Sequence, residues 1–187
     1  MTRIISGAAR GRRLRTPAGE ATRPTSDRVR EALFSALEAQ LGSLVGLRFL
    51  DLYAGSGAVG LEAVSRGAGA LMAVESDRRT ARLVQDNAAT LGFAQVEVLS
   101  QPVVRVLAQR PRAPFDVVFA DPPYPLENAQ VEEVLALLVA NGWLDAGSVL
   151  VVERSARSVE PAWPEGLVRD REKRYGETVL WYVRADV

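Results

Sequence analysis

The chain has 187 residues, 48% of them hydrophobic and 25% charged, as expected of an ordinary globular protein with one sizeable core. It contains no cysteine and no histidine, which excludes a disulfide framework, zinc sites built on those residues and histidine-based catalysis. Net charge is zero, yet residues 1–30 hold eight arginines against Glu20 and Asp27; this basic segment at +6, on a remainder at −6, suits a polyanionic partner.

Residues 3–6 and 13–15 read as two short strands of a hairpin around Ala8-Ala9-Arg10-Gly11. Pro24-Thr25-Ser26-Asp27 signals a helix start with Ser26 as N-cap. Val29, Leu33, Ala36, Leu37 and Leu41 then share one helical face, and Gly42 and Gly46 end it. From Leu47 the rhythm becomes strand, glycine turn, helix, repeated. Strands are predicted over 47–53, 70–75, 95–99, 115–120 and 147–153, with helices over 57–66, 77–91 and 103–109 and through Val131, Val134, Leu135 and Leu138. Such alternation implies an α/β fold, a parallel sheet with helices on both faces. Residues 167–175 and 178–183 are joined at Gly176-Glu177 with no room for a helix, so an antiparallel hairpin closes the chain. No apolar stretch reaches membrane-spanning length, and the basic start is not followed by an apolar core. We expect a soluble, cytoplasmic monomer without membrane association and without a metal.

Two loops at predicted strand ends carry the chemistry. The first, Asp51-Leu52-Tyr53-Ala54-Gly55-Ser56-Gly57-Ala58-Val59-Gly60, lets a ligand approach the backbone beside a helix N-terminus. Glu75, ending the next strand, can hold both ribose hydroxyls of a nucleoside. Asp51 can meet an α-ammonium group but would repel a pyrophosphate. That, with the absence of His and of a Tyr-x-x-x-Lys pair, favours S-adenosyl-L-methionine over a nicotinamide cofactor. The second loop is Asp121-Pro122-Pro123-Tyr124, after the buried strand Phe115-Asp116-Val117-Val118-Phe119-Ala120. Two prolines fix φ twice and withhold N–H groups, so the carbonyls stay available as rigid acceptors. A carboxylate beside an aromatic face makes a slot for a planar group carrying NH₂. A plain strand-ending turn remains the alternative reading of these four residues.

Asp-x-x-x-Gly-x-Gly, the acid at the next strand end and Asp-Pro-Pro-Tyr after the fourth strand resemble class I methyltransferases acting on exocyclic amines. More narrowly, the chain resembles the bacterial 16S ribosomal RNA guanine-N2 methyltransferases of the RsmD type, nearly end to end. The resemblance includes Arg3-Ile4-Ile5-Ser6-Gly7, Arg10-Gly11-Arg12, Asn141-Gly142-Trp143-Leu144 and, most specifically, Arg23-Pro24-Thr25-Ser26-Asp27-Arg28-Val29-Arg30-Glu31. It implies a Rossmann-like class I methyltransferase fold: a mostly parallel seven-stranded sheet with a C-terminal antiparallel hairpin and a small N-terminal β-hairpin extension. Residues 1–22 would form a basic hairpin for RNA contact and 23–187 the methyltransferase domain.

The implied reaction is in-line methyl transfer to guanine N2 of 16S ribosomal RNA, within the small subunit or an assembly intermediate. Asp121 and the Pro122 carbonyl would hold the two N–H groups while Tyr124 stacks on the base. An ordinary Asp pKa would make Asp121 a weak base. Asp51 and the Gly55 and Gly57 backbone would serve the methionine end, Tyr53, Ser56 and Asp121 would also bind the cofactor, and Thr25 and Ser26 would pack over the methionyl group. Glu75 would take the ribose, and Ser76 would lie beside the adenine pocket. This chain has Ser100-Gln101-Pro102 where family members often carry Asn or Asp, so the adenine contact would pass to Ser100 or Gln101. Arg3, Arg10, Arg12, Arg13 and Arg15 would grip phosphates. Three rivals remain open: a DNA adenine-N6 or protein-glutamine methyltransferase, a nicotinamide-dependent oxidoreductase, and a non-catalytic RNA-binding module.

Overall fold

The computed structural model describes residues 2–17 and 25–187. Arg23, Pro24 and the expected 22/23 domain boundary lie outside the described residues. In chain order the elements are β1 (Thr2–Arg3), β2 (Arg13–Leu14), α1 (Asp27–Leu41), β3 (Arg48–Leu52), α2 (Ala58–Ser65), β4 (Ala70–Val74) and α3 (Arg78–Leu91). There follow β5 (Val96–Leu99), α4 (Val103–Leu107), β6 (Phe115–Ala120), α5 (Asn128–Ala140), β7 (Leu144–Ser155), β8 (Leu167–Tyr175) and β9 (Thr178–Ala185).

The main sheet has seven strands in the order β5-β4-β3-β6-β7-β9-β8. The first five are parallel, and β9 runs antiparallel to both β7 and β8. The chain builds outward from β3 to β4 and β5, then returns to lay β6 on the other side of β3. That reversal opens a crevice at the carboxyl ends of β3 and β6, where such sheets take ligands. Each face has its own core. Leu33, Phe34, Leu37, Leu61 and Ala88 from α1–α3 cover Val117, Phe119 and Val151. Leu107 of α4 and Val131, Leu135 and Leu138 of α5 cover Leu50, Val118, Leu150 and Trp181 on the other face.

Local signals place the elements. Ser26 caps α1 by accepting from Val29 N at 3.2 Å, and Gly42 ends it at φ +79°. Trp143 packs on Phe115 at 5.9 Å between ring centres and donates to Gln109 O at 2.8 Å. Two boundaries differ from expectation. The last parallel strand begins at Leu144, ahead of Gly147, with a register break opposite Phe115/Val117. There Ser148 Oγ accepts from Asp145 N at 2.9 Å and donates to Phe115 O at 2.8 Å, satisfying the interrupted ladder. The N-terminal pairing is also shorter than expected, only Thr2 with Leu14 and Arg3 with Arg13.

The hairpin is short because residues 5–9 bond to α2 instead of to each other. Glu62 accepts from Ile5 N at 2.8 Å and Ser6 N at 2.9 Å. Ser65 Oγ accepts from Ala9 N at 2.9 Å and Ser65 O accepts from Ala8 N at 2.8 Å. Ile4, Ala9 and Leu14 are buried in the main core. Arg30, counted in the basic segment, is fully buried between Asp27 at 3.0 Å and Glu62 at 3.8 Å; burial lowers its pKa, with Glu62 and Asp27 opposing that shift. Gly7 is forced by this docking: a Cβ there would lie 1.8 Å from Ser65 O, and φ is +82°. Gly7→Ala is therefore expected to destabilise the fold by at least about 2 kcal/mol in urea unfolding. An unchanged midpoint would contradict the docked position of the arm.

Candidate active site

The crevice between β3 and β6 is a cavity of about 440 Å³, within the roughly 300–1,000 Å³ of small-molecule sites. Its wall is the glycine loop, its ends are Glu75 with Ser76 and Asp121 with Pro122, and Thr25 closes it from the segment before α1. The loop bends sharply: Tyr53, Gly55 and Gly57 all have positive φ, +62°, +56° and +78°. Nothing lies within 4 Å of a Cβ built on Gly55, so its backbone faces open cavity. Gly57 instead turns inward, where a Cβ would meet Val84 Cγ1 at 2.7 Å. It starts α2 and is not among the lining residues.

The acids hold the loop from below. Asp51 Oδ2 accepts from Gly60 N at 2.9 Å. Glu75 accepts from Gly55 N at 3.0 Å and from Asp77 N at 2.9 Å. Each carboxylate oxygen has a second lone pair, so Glu75 keeps acceptor capacity for ligand hydroxyls. Asn87, buried on α3, ties loop to arm: it donates to Ser56 O at 3.1 Å and Arg15 O at 3.0 Å, and accepts from Arg15 N at 2.9 Å. The arm thereby brings Thr16 and Pro17 to the cavity wall.

A second cavity of about 250 Å³ adjoins the first. Thr25, Asp121, Pro122 and Tyr124 line both; Glu153, Arg154 and the Tyr175–Thr178 turn line the second alone. Pro123 O is engaged by Leu126 N at 2.9 Å, whereas no described residue donates to Pro122 O. Of the two rigid acceptors expected from the prolines, one is therefore open. Tyr124 is 61% exposed, its ring free to meet a planar partner.

Three acids crowd this junction, and all are held toward the neutral form. Burial pushes Asp51 up to about 7, opposed by the Gly60 N–H and reinforced by Glu75. Burial, then Glu153, then Asp51 raise Asp121 well above the usual carboxylate range, so it is a stronger base than an ordinary Asp. Burial lifts Glu153 to about 7 against the Thr25 hydroxyl bond. Among the described residues Asp51 has no ion-pair partner. A buried carboxylate of this kind fits a cationic ligand group, because a nearby positive charge favours the ionised form. The α-ammonium and sulfonium of S-adenosyl-L-methionine meet that requirement.

Not every expected residue joins the site. Ser100 and Gln101 follow β5, outside the lining of either cavity. Ser26 lines the second cavity rather than the first, while its hydroxyl caps α1. Arg10, Arg12, Arg13 and Arg15 form an exposed basic face, with Arg12 Nη2 donating to Thr90 O at 3.0 Å. Arg3 is exposed and lies 3.7 Å from Asp27. The residues missed from sequence are Asn87, Glu153 and Arg154. Glu153 and Arg154 follow the apolar run Val149–Val152 of β7 next to Asp121, and charged residues in a buried strand were a usable signal.

The family profile described as "Conserved hypothetical protein 95" matches residues 2–184. Over 175 residues the chain is 39% identical to "Ribosomal RNA small subunit methyltransferase D" of Escherichia coli K12, covering 94% of this chain and 85% of that one. With the protein of the same name from Haemophilus influenzae it shares 40% over 154 residues, 81% and 77% of the two chains. A solved structure titled "Putative methyltransferase yhhF from Escherichia coli" superposes with a TM-score of 0.87 at 35% identity, covering 100% of this chain and 98% of that one.

Proposed function

This chain belongs to the conserved hypothetical protein 95 family and is a methyltransferase of the RsmD type, and we propose that it methylates the exocyclic N2 amine of a guanine in 16S ribosomal RNA. The observation that carries this reading is the position of Asp121 and Pro122, shared by a cavity fitted to S-adenosyl-L-methionine and a second one open to a base. The substrate follows from relatives named for small-subunit ribosomal RNA and from the basic arm. No described helix is long and apolar enough to cross a membrane. A monomer acting in the cytoplasm, on the small subunit or an assembly intermediate, completes the proposal.

S-adenosyl-L-methionine, when bound, supplies a methyl group on a positively charged sulfur. Asp51 holds the α-ammonium, the Gly55 backbone and Ser56 border the methionyl group, and Tyr53 flanks it. Glu75 takes the ribose hydroxyls, with Ser76 toward the adenine. Thr25 closes the site from above. In the second cavity the Asp121 carboxylate and the Pro122 carbonyl each accept one N2–H, which turns the nitrogen lone pair toward the first cavity. Tyr124 stacks on the base. These groups supply orientation and stabilise positive charge as it grows on nitrogen. The positive charge of the bound cofactor would favour the ionised form of Asp121, whose raised pKa then suits it to accept the proton that the methylated amine releases. The base must leave its stack to reach this slot.

The test offers methyl-labelled S-adenosyl-L-methionine with 16S RNA, small subunits, duplex DNA and protein in parallel. Label on guanine N2 of RNA is the expected result; label on adenine N6 or on protein would overturn it. Neutralising Arg10, Arg12 and Arg13 together is expected to lower RNA affinity and flatten its salt dependence by a log–log slope of about 2–3. An unchanged slope would remove the arm from the RNA interface.

A further inference from the structure

We propose that Glu153 selects guanine over adenine by accepting the N1–H of the target base through Oε1. The inference rests on the second cavity being the base site. Ala120 of β6 pairs with Val152 of β7, so Asp121, just past β6, and Glu153, within β7, stand side by side. Both line the second cavity. Thr25 Oγ1 donates to Glu153 Oε2 at 2.9 Å, which fixes the carboxylate, and no described residue donates to Oε1. Glu153 as a whole is only 8% exposed, yet Oε1 is not among the fully buried unpartnered atoms, so that oxygen keeps an open side for a donor.

Guanine presents N1–H and N2–H₂ next to each other on its Watson–Crick edge. Two acceptors carried by neighbouring strands, Asp121 and Glu153, match two neighbouring donors. Adenine carries an amine beside an N1 acceptor, which would oppose a lone pair of Glu153. A buried site built to pair with an N–H discriminates strongly against an analogue that lacks it. The donor at Oε1 also favours the ionised carboxylate, so the correct base sets the charge state that binds it. The Asp121 loop alone handles any exocyclic amine; Glu153 supplies the choice between purines.

The test uses target RNA in which the modified guanine is replaced by 2-aminopurine, which keeps the N2 amine but has an acceptor at N1. Wild type is expected to prefer guanine by at least about 100-fold in kcat/KM. Glu153→Gln, whose amide can donate to N1, should narrow that ratio about tenfold or more, and Glu153→Ala should bring it toward 1. Each ratio is measured within one enzyme preparation, so a reduced folded fraction cancels. A ratio that stays at the wild-type value in both variants, or a wild type that accepts 2-aminopurine as readily as guanine, would overturn the assignment. Failure of the underlying base-site reading shows differently: wild type would then leave guanine N2 unmethylated.

Discussion

Asp121→Ala is expected to lower kcat for methyl transfer by about 10³-fold, while the affinity for S-adenosyl-L-methionine changes by less than about threefold. The asymmetry follows from geometry. Asp121 lies at the junction of the two cavities, where in the proposed reaction it would orient the amine and receive its proton, whereas Asp51 and Glu75 would carry the cofactor's polar groups. Asp121→Asn keeps an acceptor oxygen but loses the proton acceptor and the charge, so its loss should be smaller, about 10–10²-fold. Neither change should unfold the chain, because a buried acid held toward neutrality costs stability when it ionises. Near wild-type turnover of the alanine variant in single-turnover assays would contradict the mechanism.

Asp51→Asn is expected to weaken S-adenosyl-L-methionine binding by about 10²–10³-fold, measured by calorimetry, since it removes the buried carboxylate proposed to pair with the ammonium group. The same change should stabilise the cofactor-free protein. Asp51 titrates at about 7 when folded, above its unfolded value near 4. Between those values the folded state binds more protons than the unfolded one, so stability falls as pH rises through the window and the loss is complete above about pH 7. At about 1.4 kcal/mol per pH unit, the window amounts to an upper bound of roughly 4 kcal/mol. The amide of the variant cannot ionise, and its oxygen can still accept from Gly60 N. Urea unfolding should therefore show the variant more stable at pH 8 and indistinguishable from wild type at pH 4. A variant that matches wild type at both values would show that the Asp51 carboxylate is not strained by burial.

The layout of the sheet was readable because apolar runs, glycine turns and helical periodicity are local signals, and they place Asp51, Glu75 and Asp121 at strand ends without further information. The switch between β3 and β6 then brings these three together. What stayed hidden depends on distant partners. Asn87 looks like one polar residue on an otherwise apolar helix face; only the arm docked 72 residues away explains it. Arg30 counts as positive charge in the chain, yet burial against Glu62 withdraws it from any RNA surface. Ser100 and Gln101 sat at the expected strand end, but β5 is the edge strand and the cavity does not extend to them. Glu153 was passed over because it lies inside a strand with no turn motif beside it, while its burial and its pairing with Thr25 arise from tertiary packing.

In the proposed reaction Asp121 and Pro122 hold the target amine at the wall shared by two cavities. That placement is tested most directly by a crystal structure of the protein with S-adenosyl-L-homocysteine and a short RNA carrying the target guanosine. The flipped guanine is expected in the cavity bordered by Glu153 and Tyr124. Its N2 should lie about 2.7–3.2 Å from both the Asp121 carboxylate and the Pro122 carbonyl, with the cofactor sulfur in the neighbouring cavity beyond it. A guanine bound elsewhere, or an N2 without contact to Asp121, would contradict it.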